Sequence, residues 1–247
     1  MTVYTANLGD YDEVRAPQAF GSGDRFLCYT DAPEPAPEPW VTLPAAQPVP
    51  GDHARNVRIH KALSHRYAPG EISLWHDANF QLHASAGELA ERWLGDGEIA
   101  VFQHPGRDCL YGEADCCARE NIENAAILER QVKRYRDDGW PEHAGLYACG
   151  VILRRHTQRV VEFNEAWWKE IQEHGRRDQI SFPYLAARAG LDLRVIPGSI
   201  WGTPEVRFFY HTSWGVHEFP CECKRCLDNG PLMAVRAERF AGRGFEK

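Results

Sequence analysis

The apolar positions along this chain switch repeatedly between a period of two and a period near 3.6, so strands and helices are predicted to alternate. "MTVYTANLGDYD" opens with a short strand that breaks at Gly9-Asp10, and Phe26 to Thr30 form a second strand ended by Asp31-Ala32-Pro33. Residues 33–50 hold seven prolines among eighteen and read as an extended connector rather than a helix. From Asp52, an N-cap residue type, Ile59, Ala62, Leu63 and Tyr67 share one helical face, and Pro69-Gly70 stops the helix. "EISLWHD" and "EIAVFQHP" are predicted strands. "ENIENAAILERQVKRYRDDG" is a predicted helix with Ile122, Ala125, Ala126, Val132 and Tyr135 in phase. A strand in "AGLYACGVILRRH" follows. Next come a helix burying Phe163, Trp167 and Ile171, a helix in "RDQISFPYLAARAG" and a strand in "LDLRVIPG". The alternation implies an α/β fold built on a single, mostly parallel, Rossmann-like sheet flanked by helices.

Composition changes this picture little. The 247 residues suit one large domain, here 1–215, with a small Cys-rich appendage at 216–247. The net charge of −7 argues against nucleic acid as the main partner. No apolar run reaches the length of a membrane helix and no signal-peptide pattern opens the chain, so a soluble, cytoplasmic protein without a membrane partner is expected. In that setting the eight cysteines read as thiols or metal ligands rather than disulfides.

The candidate chemistry lies at predicted strand ends. "SLWHDANF" runs a buried strand out onto Asp77-x-Asn79. In open α/β sheets ligands sit beyond the carboxyl ends of the strands, and a carboxylate with an amide oxygen suits Mn²⁺ or Mg²⁺. Turn residues capping the next segment explain the same pair. "YTANLG" could let a ligand approach the backbone or form a plain turn, and "YTDAP" could hold a nucleoside base or simply end a strand. "GRRDQISF" places Asp178 and Gln179 at a helix start beside two arginines, with Asp178 equally suited to be the N-cap. His211, after three aromatics, is a third metal ligand or a structural histidine. Cys221, Cys223 and Cys226 have C-x-C-x₂-C spacing with His217 four residues ahead, a set able to hold a structural Zn²⁺ or to remain free thiols.

Taken in order, "YTANLGDYD", "CYTDAP", "ARNVRIHKALSHRY", "SLWHDANF", "FQHPGRDCLYGEA", "QVKRYRDDGWPEHAGLYACGVILRRH", "WWKEI" and "RDQISFPY" resemble a glycosyltransferase-like domain family first catalogued as a domain of unknown function. Its plant members include one described as an alkaline ceramidase and one tied to seed-coat mucilage. The resemblance spans about residues 3–212. It implies a GT-A-like fold, a nucleoside-diphosphate sugar donor and a metal at an Asp-x-Asp-type motif, here Asp77 and Asn79 with Asn in the second place. It implies that Thr5, Ala6, Asn7 and Asp31 line the nucleotide pocket and that Arg55 and Lys61 reach the diphosphate. Asp77, Asn79 and His211 would hold the metal. Asp178 and Gln179 would face the donor sugar or the acceptor hydroxyl as catalytic candidates, and His104 and Arg107 would border the acceptor.

Three functions follow as expectations. The first is a glycosyltransferase whose acceptor is a glycan, a small molecule or a modified base. The second is a metal-dependent amide hydrolase drawing on His76, Asp77, His104 and His211, although neither H-E-x-x-H nor a nucleophile elbow is present. The third is a binding module that has lost catalysis.

Overall fold

A computed structural model describes residues 1–209. His211, His217, Cys221, Cys223, Cys226 and the appendage at 216–247 lie outside the described residues. The strands β1 (Thr2–Asn7), β2 (Arg25–Thr30), β3 (Trp40–Pro44), β4 (Ile72–His76), β6 (Ile99–Gln103), β7 (Tyr147–Arg155) and β8 (Leu193–Ile196) make one seven-stranded sheet. Its order is β3-β2-β1-β4-β7-β6-β8. Only β7 opposes its neighbours; the other pairings are parallel. A separate two-stranded ladder joins β5 (Phe80–Leu82) to β9 (Val206–Phe208), so the expected single sheet carries a small companion.

The sheet is buried on both faces, as parallel strands require. Alternation along β1 and β4 sends Val3 and Leu74 into one core and Tyr4 and Trp75 into the other. The second core is closed by α1 (His53–Ala62), α6 (Gln158–Glu173) and α7 (Asp178–Arg188), through Ile59, Phe163, Trp167, Ile171 and Phe182. The first is closed by α3 (Ala86–Leu89), its π-helical continuation Ala90–Leu94, and the small ladder. A third cluster packs α4 (Leu110–Arg119) and α5 (Ala125–Asp137) against α7. The short α2 (Ser64–Tyr67) completes the helices.

Three sequence expectations need correction. The proline-rich connector contains β3, paired in parallel with β2. It is an edge strand, where the missing N–H of Pro44 is tolerated. The helix expected from residue 120 starts only at Ala125. The Asn124 side chain caps it by accepting the N–H groups of Ala126 and Ile127, which leaves Ile122, Ala125 and Ala126 exposed. Leu128, Gln131, Val132 and Tyr135 form its buried face instead. Asp178 is not the cap of α7: Arg177 holds that position and Asp178 is the first helical residue.

Topology gathers one edge of the sheet. The carboxyl ends of β1, β2, β4 and β6 and the amino end of the antiparallel β7 all emerge there. No helix among the described residues is long and apolar enough to cross a membrane.

Candidate active site

The chain leaves β4 at the middle of this edge. The Asp77 N–H donates to the carbonyl of Gly150, 2.8 Å away. This bond continues the β4–β7 pairing one residue past His76 and Val151, and on the other side of β7 the β6 register shifts opposite Cys149–Val151. Gly150 has no room for a side chain, since a Cβ would lie 2.9 Å from the Phe80 ring and 3.1 Å from Ile200. The indole N–H of Trp75 donates to Asp77 Oδ1 at 2.9 Å, fixing the carboxylate two residues beyond its own strand position.

Lys61, near the end of α1, reaches this carboxylate. Its ammonium stands 2.8 Å from Asp77 Oδ1 and 2.8 Å from Asp178 Oδ2. The last turn of α1 is anchored beneath it. Buried Arg154 donates to the carbonyls of Lys61 and Ala62, to the Asn164 side chain and to the Tyr4 hydroxyl. Burial alone would depress the Lys61 ammonium, but Asp178 and then Asp77 outweigh it and hold its pKa above the usual value. For Asp178, burial favours the neutral acid. Lys61, then Arg58 and Arg177, more than reverse this and hold the carboxyl far below the ordinary range. The side chains of Lys61 and Asp178 are 5% and 4% exposed, whereas Asp77 is 35% exposed. Of the three, Asp77 is the one open to solvent.

The network continues inward. Arg58 Nε lies 3.9 Å from Asp178 Oδ1. Arg177 donates from Nε and Nη2 to Glu113 Oε1, both at 3.2 Å, and Arg107 Nε donates to Glu113 Oε2 at 2.5 Å. Glu113 is fully buried on α4. His104 Nδ1 accepts the N–H groups of Gly106 and Arg107, which leaves its Nε2 as the donor, 3.8 Å from Glu113. Charges of alternating sign thus run from Asp77 through Lys61, Asp178, Arg177 and Glu113 to Arg107. Cys149, buried beside these groups, has its thiol pushed well above its usual pKa by burial and stays protonated.

The structure brings Lys61, Asp77 and Asp178 together, a convergence that the sequence, which offered them for separate tasks, did not disclose. Asn79 lies two residues beyond Asp77, and Gln179 directly follows Asp178. The amide of Asn79 donates to the Phe209 carbonyl, while its Oδ1 and the Oε1 of Gln179 are buried without hydrogen-bond partners. Thr5, Ala6 and Asn7 end β1 at the same edge, with Thr5 Oγ1 also buried and unpartnered. Asn7 closes the following loop on the backbone of Asp12, and Asp31 Oδ1 accepts the Gly9 N–H at 2.9 Å, tying the ends of β1 and β2. Gly9 has φ +68° there, a conformation costly for other residues.

Arg55 is placed differently from expectation. Its guanidinium binds Asp52 and the carbonyls of Ile171 and His174, clamping α1 to the end of α6. Six positions along a helix put it on another face from Lys61. Arg58, which the sequence reading passed over, is the other α1 cation beside Asp178. Glu113 was also missed, its one signal being a Glu on a helix; Arg177, one of the two arginines noted beside Asp178, turns to Glu113. Among the described residues, no group of three or more His, Cys, Asp or Glu side chains converges on a common metal position.

With this geometry in view, comparison with known proteins is informative. The model of the family described as TOD1/MUCI70, glycosyltransferase-like domain, matches residues 40–195. The chain belongs to this family. The matched segment carries Lys61, Asp77, Glu113 and Asp178. A probable hexosyltransferase, MUCI70 of Arabidopsis thaliana, is 29% identical over 142 residues, which is 53% of this chain and 24% of that protein. The chain thus spans about a quarter of the length of that curated relative. Among solved structures, the chain is similar to the galactosyltransferase LgtC in complex with donor and acceptor sugar analogs. That match has 12% identity, a TM-score of 0.45, and covers 98% of this chain and 97% of that one. It is also similar to mouse xyloside xylosyltransferase 1 in its apo form, with 10% identity, a TM-score of 0.42, and coverage of 79% and 83%.

Proposed function

We propose that this TOD1/MUCI70-family domain is a glycosyltransferase, moving a hexosyl group from a nucleoside-diphosphate sugar to an acceptor hydroxyl at the Asp77 edge of the sheet. The observation that carries the reading is the Asp77–Lys61–Asp178 cluster, set at the carboxyl end of a central strand within the segment matched to the family. The family's description and the hexosyltransferase relative support the reaction class.

Each side chain then has a task. Lys61 and Arg58 are the cations that reach the donor's diphosphate. Thr5, Asn7 and Asp31 border the nucleoside where β1 and β2 end. The carboxylate of Asp178 is held ionised by three cations, so it is a weak proton acceptor, and it orients Lys61 and a donor-sugar hydroxyl rather than acting as the base. Gln179 Oε1, buried and unpartnered, accepts a sugar hydroxyl. His104 and Arg107, held by Glu113, border the acceptor.

A divalent cation fits this donor set. Asp77 offers a partly exposed carboxylate, and Asn79 Oδ1 is a buried oxygen without a partner. Both are hard ligands suited to Mn²⁺ or Mg²⁺, with the remaining positions left to diphosphate and water. When bound, the ion supplies Lewis-acid stabilisation of the leaving diphosphate.

Incubation with a panel of nucleotide sugars and Mn²⁺, read as nucleoside diphosphate released, tests the proposal. One donor is expected to be turned over by the wild type and not by Asp77→Ala. Equal release by both proteins would place the chemistry elsewhere.

A further inference from the structure

Lys61 stands where a divalent cation is expected to act. Its ammonium already lies 2.8 Å from Asp77 Oδ1, the same oxygen that accepts the Trp75 indole N–H. One carboxylate oxygen of Asp77 therefore has two donors before any ligand arrives. Around it, Asp77 and Asp178 face Lys61 and Arg58, while Glu113 is shared by Arg177 and Arg107.

A divalent cation arriving alone would place two uncompensated positive charges beside a buried ammonium. Like charges in a partly desolvated site repel strongly, more than at an open surface. A diphosphate arriving alone would bring its negative charges against Asp77. The two together offset each other's charge, and the diphosphate gives Lys61 a substitute for the share of Asp77 that it yields. Lys61 can turn toward such a ligand without losing its anchor, since Asp178 stays 2.8 Å away on the buried side.

We propose that Lys61 is a resident counter-ion that competes with the divalent cation for Asp77 and so makes metal and nucleoside diphosphate bind only as a cooperative pair. The inference rests on the glycosyltransferase reading of the same site. It assigns Lys61 a second task beyond diphosphate contact: it keeps the empty site from filling with metal. Coupling between two ligands is reciprocal, so each must strengthen the other's binding by the same factor.

Binding, not turnover, tests this. Titration calorimetry would measure Mn²⁺ affinity with and without saturating uridine, guanosine or adenosine diphosphate. The reciprocal titration would measure the nucleotide with and without Mn²⁺. In the wild type, the nucleotide that binds is expected to tighten Mn²⁺ binding at least about tenfold, and Mn²⁺ to tighten the nucleotide equally. In Lys61→Met, Mn²⁺ alone is expected to bind about tenfold more tightly than to the wild type, with the coupling reduced. Direct ligation of Mn²⁺ by the diphosphate also couples the two, so the variant carries the assignment: Mn²⁺ affinity and coupling unchanged in Lys61→Met, or in Lys61→Gln should Lys61→Met not fold, would overturn it. Independent binding of Mn²⁺ and nucleotide in the wild type would overturn the Lys61 proposal and leave the transferase reading intact. Failure of every nucleoside diphosphate to bind, with or without Mn²⁺, would overturn both.

Discussion

Lys61 and Asp178 lie 117 positions apart in the sequence, yet their charged atoms stand 2.8 Å apart and almost fully buried. The pair couples the end of α1 to the start of α7 and places both beneath Asp77. Removing one partner of a buried ion pair strands the other, which costs about 3–5 kcal/mol. Asp178→Asn is expected to lose stability of that order in urea unfolding. A loss below about 1 kcal/mol, the worth of a surface pair, would contradict the burial described.

Glu113 serves two arginines from a fully buried position. Burial favours its neutral form, but Arg177, His104 and Arg107 together hold its pKa below the usual carboxylate value. Glu113→Gln preserves shape and removes the charge, so Arg177 and Arg107 lose their common partner. The expected effect is a destabilisation of about 3 kcal/mol in thermal or urea unfolding. An unchanged midpoint would show that the arginines find other partners.

His60 should make stability depend on pH. Its Nε2 accepts the Ala46 N–H at 3.1 Å and its Nδ1 faces the Asn56 carbonyl at 2.9 Å, an arrangement that only the neutral ring satisfies. Burial lowers its pKa from 6.5 to about 4. The unfolded chain thus takes up the proton first. The stability gained by keeping the ring neutral is complete above pH 6.5 and declines as the pH falls toward 4. The slope is about 1.4 kcal/mol per pH unit. Urea midpoints measured across this window should fall less steeply in His60→Gln than in the wild type. Parallel slopes would contradict the assignment.

Gly150→Ala puts a methyl group 2.9 Å from the Phe80 ring, below any ordinary contact. Relief requires the ring or the bulged strand to shift, at a cost of about 1–3 kcal/mol. Because the Gly150 carbonyl holds the Asp77 N–H, the substitution is expected to weaken nucleotide binding beyond what its stability loss explains. Unchanged affinity would uncouple the bulge from the site.

Much of this architecture was legible in the sequence for physical reasons. Hydrophobic period separates strands from helices, and β4 running out onto Asp77 marked the edge where ligands gather. Lys61 and Asp178 were both singled out, but their pairing was not, because contacts across 117 positions leave no local pattern. For the same reason Arg58 and Glu113 were indistinguishable from ordinary surface charges. The six-residue spacing of Arg55 and Lys61 already set them on different faces, but that Arg55 clamps the end of α6 rested on contacts across 116 and 119 positions. Strand β3 was hidden by prolines that only an edge position accepts. The start of α5 depended on the Asn124 cap, which overrode the apolar phase of Ile122.

Thermal unfolding with a panel of nucleoside diphosphates and their sugars, with and without Mn²⁺, on wild type and Asp77→Ala, tests the central claim most directly. A ligand that binds only the folded state must raise its stability. The account predicts a rise for one nucleotide that requires Mn²⁺ and disappears in Asp77→Ala, while the variant without ligand unfolds near the wild-type temperature because Lys61 keeps Asp178. A nucleotide-dependent rise that survives in Asp77→Ala, or no rise with any nucleotide, would contradict the placement of the donor site at Asp77.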